Sequence, residues 1–200
     1  MEERDRPDAL IIAAVVGLLA LGVVMVASAG SVTGWVEHQD PYYYLKRQLV
    51  WTLIGAAAMA VCARLDYHAL RLAAMPGLSL SLILLAAVLV VGPEIGGARR
   101  WITLGLFNVQ PSELAKLAVV NYLAAYQAAR RDRMGNLSSL LVPLAVVGLV
   151  AGLILLEPDF GTAVAVLMTT FLMFFAGGAR LGHLVGLGVA GLPLLAYLVW

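Results

Sequence analysis

Apolar residues run almost unbroken through seven stretches, approximately 9–29, 45–63, 72–92, 111–129, 137–156, 160–178 and 184–200, with the charges confined largely to the segments between them. Roughly 20 mostly apolar residues suffice for a helix to cross the hydrocarbon core of a bilayer. Each stretch reaches or approaches that length, so the pattern predicts an all-α, polytopic helical membrane protein. It further predicts a single transmembrane domain over 1–200 with about seven spans. The second stretch is short and begins beside Lys46 and Arg47, whose stems can snorkel to the interface. The seventh reaches Trp200 with no flanking polar residue, and the expectation is the front portion of a longer protein, interrupted within its seventh span. Ala27-Ser28-Ala29 resembles a signal-peptidase site, but the apolar run before it is about twice a normal signal core of ~7–15 residues. Its flank carries Glu2, Glu3, Asp5 and Asp8 against Arg4 and Arg6, which is not a basic leader, so the run reads as a permanent span. Gly148 with Gly152, and Gly182 with Gly186, have the spacing that permits close helix approach. Neither heptads nor tandem repeats are visible.

Composition strengthens the membrane reading. The 200 residues are 62% hydrophobic and 12% charged, with a mean hydropathy of +0.93. A soluble domain is about a quarter charged, so too little polar material is present to cover a water-exposed surface. A net charge of +1 excludes a global field that would recruit nucleic acid. Cys62, the single cysteine, excludes an internal disulfide and a thiolate metal cluster, and its apolar run suggests a small packing residue.

Orientation follows from the Lys/Arg bias of the connections. Arg4, Arg6, Arg64, Arg71, Arg130, Arg131, Arg133 and Arg180 fall on one side; Lys46, Arg47, Arg99 and Arg100 fall on the other. That bias puts the N-terminus in the cytoplasm and the 1–2 and 3–4 connections outside. Trp35, Tyr42, Tyr43, Tyr44 and Trp51 then suit an outer aromatic belt.

Candidate chemistry gathers in three places. Gly96-Gly97-Ala98-Arg99-Arg100-Trp101 puts two arginines in an outward loop behind a glycine pair able to take positive φ. Adjacent guanidiniums can grip a pyrophosphate in bidentate fashion; alternatively they are interfacial anchors paired with Glu94 or with lipid. Pro111 suits a first helical position, Glu113 then meets the positive end of the helix dipole, and Lys116 lies one turn on. This pair, deep in an apolar helix, is expected to face the bundle interior, either as a structural ion pair or as a wall of a polar cavity. In Glu157-Pro158-Asp159 two carboxylates flank a helix-breaking proline. They suit a divalent cation or a sugar hydroxyl; alternatively Asp159 only caps the next helix and Glu157 is solvated. His38, His68 and His183 lie in separate connections without metal-ligand spacing, and no HExxH, GxSxG or P-loop is present.

GARRWI, QPSELAK and EPDFGTA, in this order at the ends of the third to sixth spans, resemble the SEDS family of FtsW, RodA and SpoVE. Met25-Val26-Ala27-Ser28-Ala29 and Pro41-Tyr42-Tyr43-Tyr44-Leu45-Lys46-Arg47-Gln48 look like that family too, so the resemblance covers essentially the whole chain. EPDFG, rather than QPDLG, tilts it toward the FtsW/SpoVE branch. The resemblance implies a ten-span peptidoglycan glycosyltransferase in the bacterial cytoplasmic membrane. Such an enzyme polymerises lipid II (an undecaprenyl-pyrophosphate-linked disaccharide peptide) at the outer face, beside a class B penicillin-binding protein. The family's proposed catalytic aspartate lies in an outward loop after the seventh span, beyond Trp200. Here the resemblance implies substrate-binding roles for Arg99, Arg100, Glu113, Lys116, Glu157 and Asp159, with a divalent cation as an open option. A lipid II flippase and a membrane scaffold for the penicillin-binding protein are the alternative functions.

Overall fold

A backbone in lipid must bond to itself, which turns long apolar stretches into helices. The computed structural model describes residues 9–64, 66–94, 96–104 and 107–199. The tail with Arg4 and Arg6, and Trp200, lie outside the described residues. Seven helices are described: α1 (Ala9–His38), α2 (Tyr43–Cys62), α3 (Tyr67–Val91), α4 (Pro111–Ala129), α5 (Leu137–Leu156), α6 (Phe160–Ala176) and α7 (Leu181–Val199). By length and composition, Ala9–His38, Tyr43–Cys62, His68–Val91 and Leu137–Leu156 can each cross a membrane. The chain divides into two compact units, Met1–Asp66 and Tyr67–Trp200.

In the first unit α1 continues to His38, past the end expected at residue 29, because nothing between Gly30 and His38 breaks a helix. The break comes at Gln39, whose φ of 56° is left-handed. The chain then folds back so tightly that a Cβ on Gly34 would lie 2.7 Å from the carbonyl oxygen of Asp40. Only glycine accommodates that return. The turn is tied by Asp40, which accepts from the Tyr42 N–H at 2.9 Å and pairs with Lys46 at 2.7 Å. Lys46, then the Tyr42 N–H, hold the Asp40 carboxyl below its usual range. Cys62, expected among packed side chains, is instead exposed at the end of α2.

The second unit is a helical bundle centred on α4. Along α3, Ala74, Leu78, Ser81, Leu85 and Val88 are buried, a single stripe at alternating spacings of three and four. Leu78 and Leu85 join one core with Ala115, Val119, Tyr122 and Leu123 of α4, Leu140, Val147, Val150 and Ile154 of α5 and Ala163, Val166 and Phe174 of α6. Pro143 inside α5 removes an N–H and frees the carbonyl one turn back, at Ser139. Tyr126 of α4 donates its hydroxyl to that carbonyl at 2.8 Å, satisfying a group that lipid could not.

Gly148, Gly152, Gly182 and Gly186, expected at close helix contacts, have no neighbour within 4 Å of where a Cβ would stand. Close approach occurs instead at Gly177, where a Cβ would meet the Gln127 side chain. Between α3 and α4 lies an element absent from the sequence reading: an antiparallel hairpin of β1 (Ile102–Leu104) and β2 (Phe107–Val109), in the register Ile102↔Val109 and Thr103↔Asn108. This is the one departure from an all-α chain among the described residues.

Candidate functional site at one rim of the bundle

The three motif segments meet at one end of the second unit. The first emerges from α3 through Gly96 and Gly97, whose φ angles of 62° and 79° turn the chain as the glycine pair predicts. The next two residues then diverge. Arg99 is exposed, 3.8 Å from Glu94, with a long 3.4 Å bond to the Leu89 carbonyl. Arg100 reaches the turn between α5 and α6: its Nε donates to the Glu157 carbonyl at 2.9 Å and Nη2 donates to the carbonyl of Pro158. The arginines were expected to act as an adjacent pair; here they face different acceptors, and Arg100 is committed to protein backbone.

The second segment enters α4 with Pro111 at its start and Glu113 in its first turn. Gln110, just before, donates from Nε2 to Asp159 Oδ2 at 2.9 Å, while Asp159 Oδ1 caps α6 by accepting from the Thr162 N–H at 3.1 Å. Asp159 therefore uses both oxygens, as the helix cap foreseen and as a clasp on α4. Sequence reasoning did not single out Gln110; its position immediately before Pro111, at a helix entrance, was the available signal.

Glu113 and Lys116 form the expected pair, at 2.8 Å, but their side chains are 57% and 36% exposed. They were expected to point into the bundle. The buried face of α4 instead runs through Pro111, Ser112, Ala115, Val119, Tyr122 and Leu123, so positions 113 and 116 are turned away from the packed stripe. Glu157 departs in the opposite direction. It was expected to be solvated if not functional, yet it is fully buried. Neither of its carboxylate oxygens, nor the equally buried Ser112 hydroxyl, has a hydrogen-bond partner. Burial first, then the neighbouring Asp159 charge, push the Glu157 carboxyl up to about 7, against an opposing pull from Arg100. Glu157 lies in the turn, outside the spanning helices.

No group of three or more His, Cys, Asp or Glu is placed to hold a metal ion among the described residues. Asp159 already serves two donors, Gln110 and the Thr162 N–H.

The Gln110–Asp159 clasp is testable by a double-mutant cycle. Asp159→Ala removes cap and clasp, about 2 kcal/mol together, and Gln110→Ala about 1 kcal/mol. The double variant is expected to lose little more than Asp159→Ala alone in denaturant unfolding in detergent. Strict additivity would mean that the two side chains do not interact.

Fold and site together define a polytopic helical membrane protein with ionisable groups gathered at one rim. The FtsW/RodA/SpoVE family model, described as cell cycle protein, matches residues 8–200. The chain belongs to that family, and with its apolar helices it is a multi-pass inner-membrane protein. It is 41% identical over 195 residues to the probable peptidoglycan glycosyltransferase FtsW of Trichlorobacter lovleyi, covering 96% of this chain and 51% of that relative. The corresponding Escherichia coli protein is 37% identical over 183 residues, covering 90% and 44%. Thermus thermophilus rod shape determining protein RodA superposes with a TM-score of 0.63 at 34% identity, over 88% of this chain and 58% of RodA. A chain from a peptidoglycan synthase complex, solved for its structural coordination of polymerization and crosslinking, superposes with a TM-score of 0.68 at 36% identity, over 89% and 52%. This chain thus spans about half the length of the relatives it matches.

Proposed function

We propose that the whole protein polymerises lipid II into glycan strands at the outer face of the cytoplasmic membrane, in cell division, with a class B penicillin-binding protein as partner. The observation that carries this is the convergence of the three family motifs on one rim through Arg100 and the Gln110–Asp159 clasp. The relatives named FtsW favour the division role, and the synthase complex among the structural neighbours favours the partner. In this reading the N-terminus is cytoplasmic and the motif rim faces outward. The position of Arg130, Arg131, Arg133 and Arg180 in the connections at the opposite ends of α4 to α7 supports that orientation.

The geometry distributes the proposed roles unevenly. Arg99, exposed and only loosely paired, is the candidate for stabilising the departing pyrophosphate. Glu113 and Lys116, on an uncovered face of α4, offer a charged wall to the lipid II head group. Arg100, Glu157 and Asp159 are positioning residues: they fix the loop and turn on which the substrate-facing groups stand. The base that deprotonates the acceptor hydroxyl is assigned to none of these residues.

The test uses the full-length protein, purified with its partner and given labelled lipid II. Glycan strands from the native complex, reduced at least about tenfold in Arg99→Ala and in Glu113→Ala at normal expression, are the expected result; losing one charge-assisted contact in a transition state is worth roughly that much. A well-folded native complex that makes no strands but moves lipid II across vesicles would replace the polymerase by a flippase.

A further inference from the structure

The arginines at the two ends of the second unit differ in what they touch. At the motif rim each has a protein acceptor: Glu94 and the Leu89 carbonyl for Arg99, the Glu157 and Pro158 carbonyls for Arg100. At the other end, α4 runs into a short 3-10 turn over Arg131–Arg133, and the α6–α7 turn carries Arg180. Arg131, Arg133 and Arg180 are exposed. Among the described residues their guanidiniums have no hydrogen bond or ion pair.

Two connections carry these cations. The site a Cβ would occupy on Gly135 is 4.0 Å from Nε of Arg180, so the α6–α7 turn lays its arginine against the α4–α5 connection. Arg130 sits 4.4 Å over the Tyr126 ring, a stacking contact that leaves its N–H groups free. Arg130, Arg131 and Arg133 line a cleft of about 450 Å³ in which Asp132 is the single acid. Next to these arginines, at the starts of α5 and α7, Leu137, Leu141, Leu181 and Val185 are exposed.

We propose that this cleft binds the phosphate of an anionic phospholipid from the leaflet that borders this end of the bundle. Guanidiniums without protein acceptors, three around one turn and Arg180 beside the same connection, suit a phosphodiester, which takes paired N–H donors. The neighbouring apolar side chains suit the acyl chains of the same molecule. A soluble anion would use the first feature and not the second. Basic pockets between spanning helices are where anionic head groups are held.

The experiment takes purified full-length protein in micelles doped with phosphatidylglycerol or phosphatidylcholine and counts retained lipid by native mass spectrometry. Phosphatidylglycerol is expected to be retained in preference. Combining Arg131→Gln, Arg133→Gln and Arg180→Gln is expected to cut that retention at least about tenfold, taking roughly fivefold per arginine and incomplete additivity. Combining Arg47→Gln, Arg64→Gln and Arg71→Gln removes the same charge elsewhere and is expected to leave retention unchanged. All six positions are exposed, and an unaltered melting curve identifies each variant as folded. Equal retention in the cleft variant would overturn the proposal, and so would an equal loss in the control. Displacement of the lipid by inorganic phosphate would also overturn it, marking the cleft as a soluble-anion site.

Discussion

Arg100→Ala is expected to be the most damaging single substitution at the rim, lowering both stability and strand formation. Its guanidinium ties the 3–4 loop to the α5–α6 turn through the carbonyls of Glu157 and Pro158, beside the Gln110–Asp159 clasp. Hydrogen bonds from a charged donor contribute about 1.5–3 kcal/mol each. Two of them put the expected loss at roughly 3–5 kcal/mol, enough to release the loop from the turn. Released, the loop no longer holds Arg99 in place, and misplacing a catalytic contact by about 1 Å costs on the order of 100-fold in rate. Arg100→Lys is expected to rescue little, because one ammonium on a flexible stem cannot reproduce a planar fork across two carbonyls.

Comparison with Arg99→Ala separates the two arginines. Arg99 has a 3.8 Å ion contact and one long bond, so its loss is expected to change the unfolding midpoint little while lowering turnover. Arg100→Ala is expected to lower both and to raise amide exchange across Glu157–Thr162. An unchanged midpoint and exchange pattern in Arg100→Ala would remove the positioning role. Two substitutions on neighbouring residues thus give distinguishable signatures, one in chemistry alone and one in structure and chemistry together.

What the sequence could reveal here was limited by the solvent. Helices α4 and α5 cover the same residues as the fourth and fifth apolar stretches, because Pro111 and Asn136 mark entrances and Arg130 and Glu157 mark exits. Which face packs was not legible. Leu78 and Leu85 are buried while Leu72, Leu80 and Ile83 on the same helix are exposed, and all are equally apolar. In water the polar residues would mark the outer face; in lipid both faces are hydrophobic and the distinction disappears. The same blindness put Glu113 and Lys116 inside. A charge in a spanning segment was read as needing the interior, whereas these two lie on a face of α4 that the rest of this chain leaves open.

The motifs identified the rim but not its wiring. Arg100 bonds to main-chain carbonyls, and a backbone acceptor leaves no residue-specific trace in a sequence. The clasp of Gln110 on Asp159 joins helices whose contact depends on the whole bundle. The hairpin was hidden for another reason. Strands of three residues, Ile102–Leu104 and Phe107–Val109, are too short for an alternating pattern to stand out beside two long apolar helices.

Glu157 carries the second large prediction, an unfolding stability that falls as pH rises. Burial and the Asp159 charge push its carboxyl up to about 7 in the folded protein, from an ordinary 4.5. Below pH 4.5 the group is protonated in both states and contributes no pH dependence. Between 4.5 and 7 the unfolded chain ionises while the folded protein keeps its proton, so the native state binds more protons and each pH unit costs stability. At about 1.4 kcal/mol per unit, a window of 7 − 4.5 = 2.5 units amounts to roughly 3 kcal/mol lost by pH 7, with no further loss above it. The cause is structural: a carboxylate buried without a hydrogen-bond donor and beside Asp159 is costly when charged, while its acid form is tolerated. Glu157→Gln keeps the shape and cannot ionise. It is therefore expected to match the native protein near pH 4.5, to exceed it by roughly 3 kcal/mol at pH 8, and to have a flatter stability profile between. Equilibrium unfolding of both proteins in detergent across this range is the measurement. Parallel profiles would mean that Glu157 is ionised in the folded state, with a donor beside it that takes up its charge.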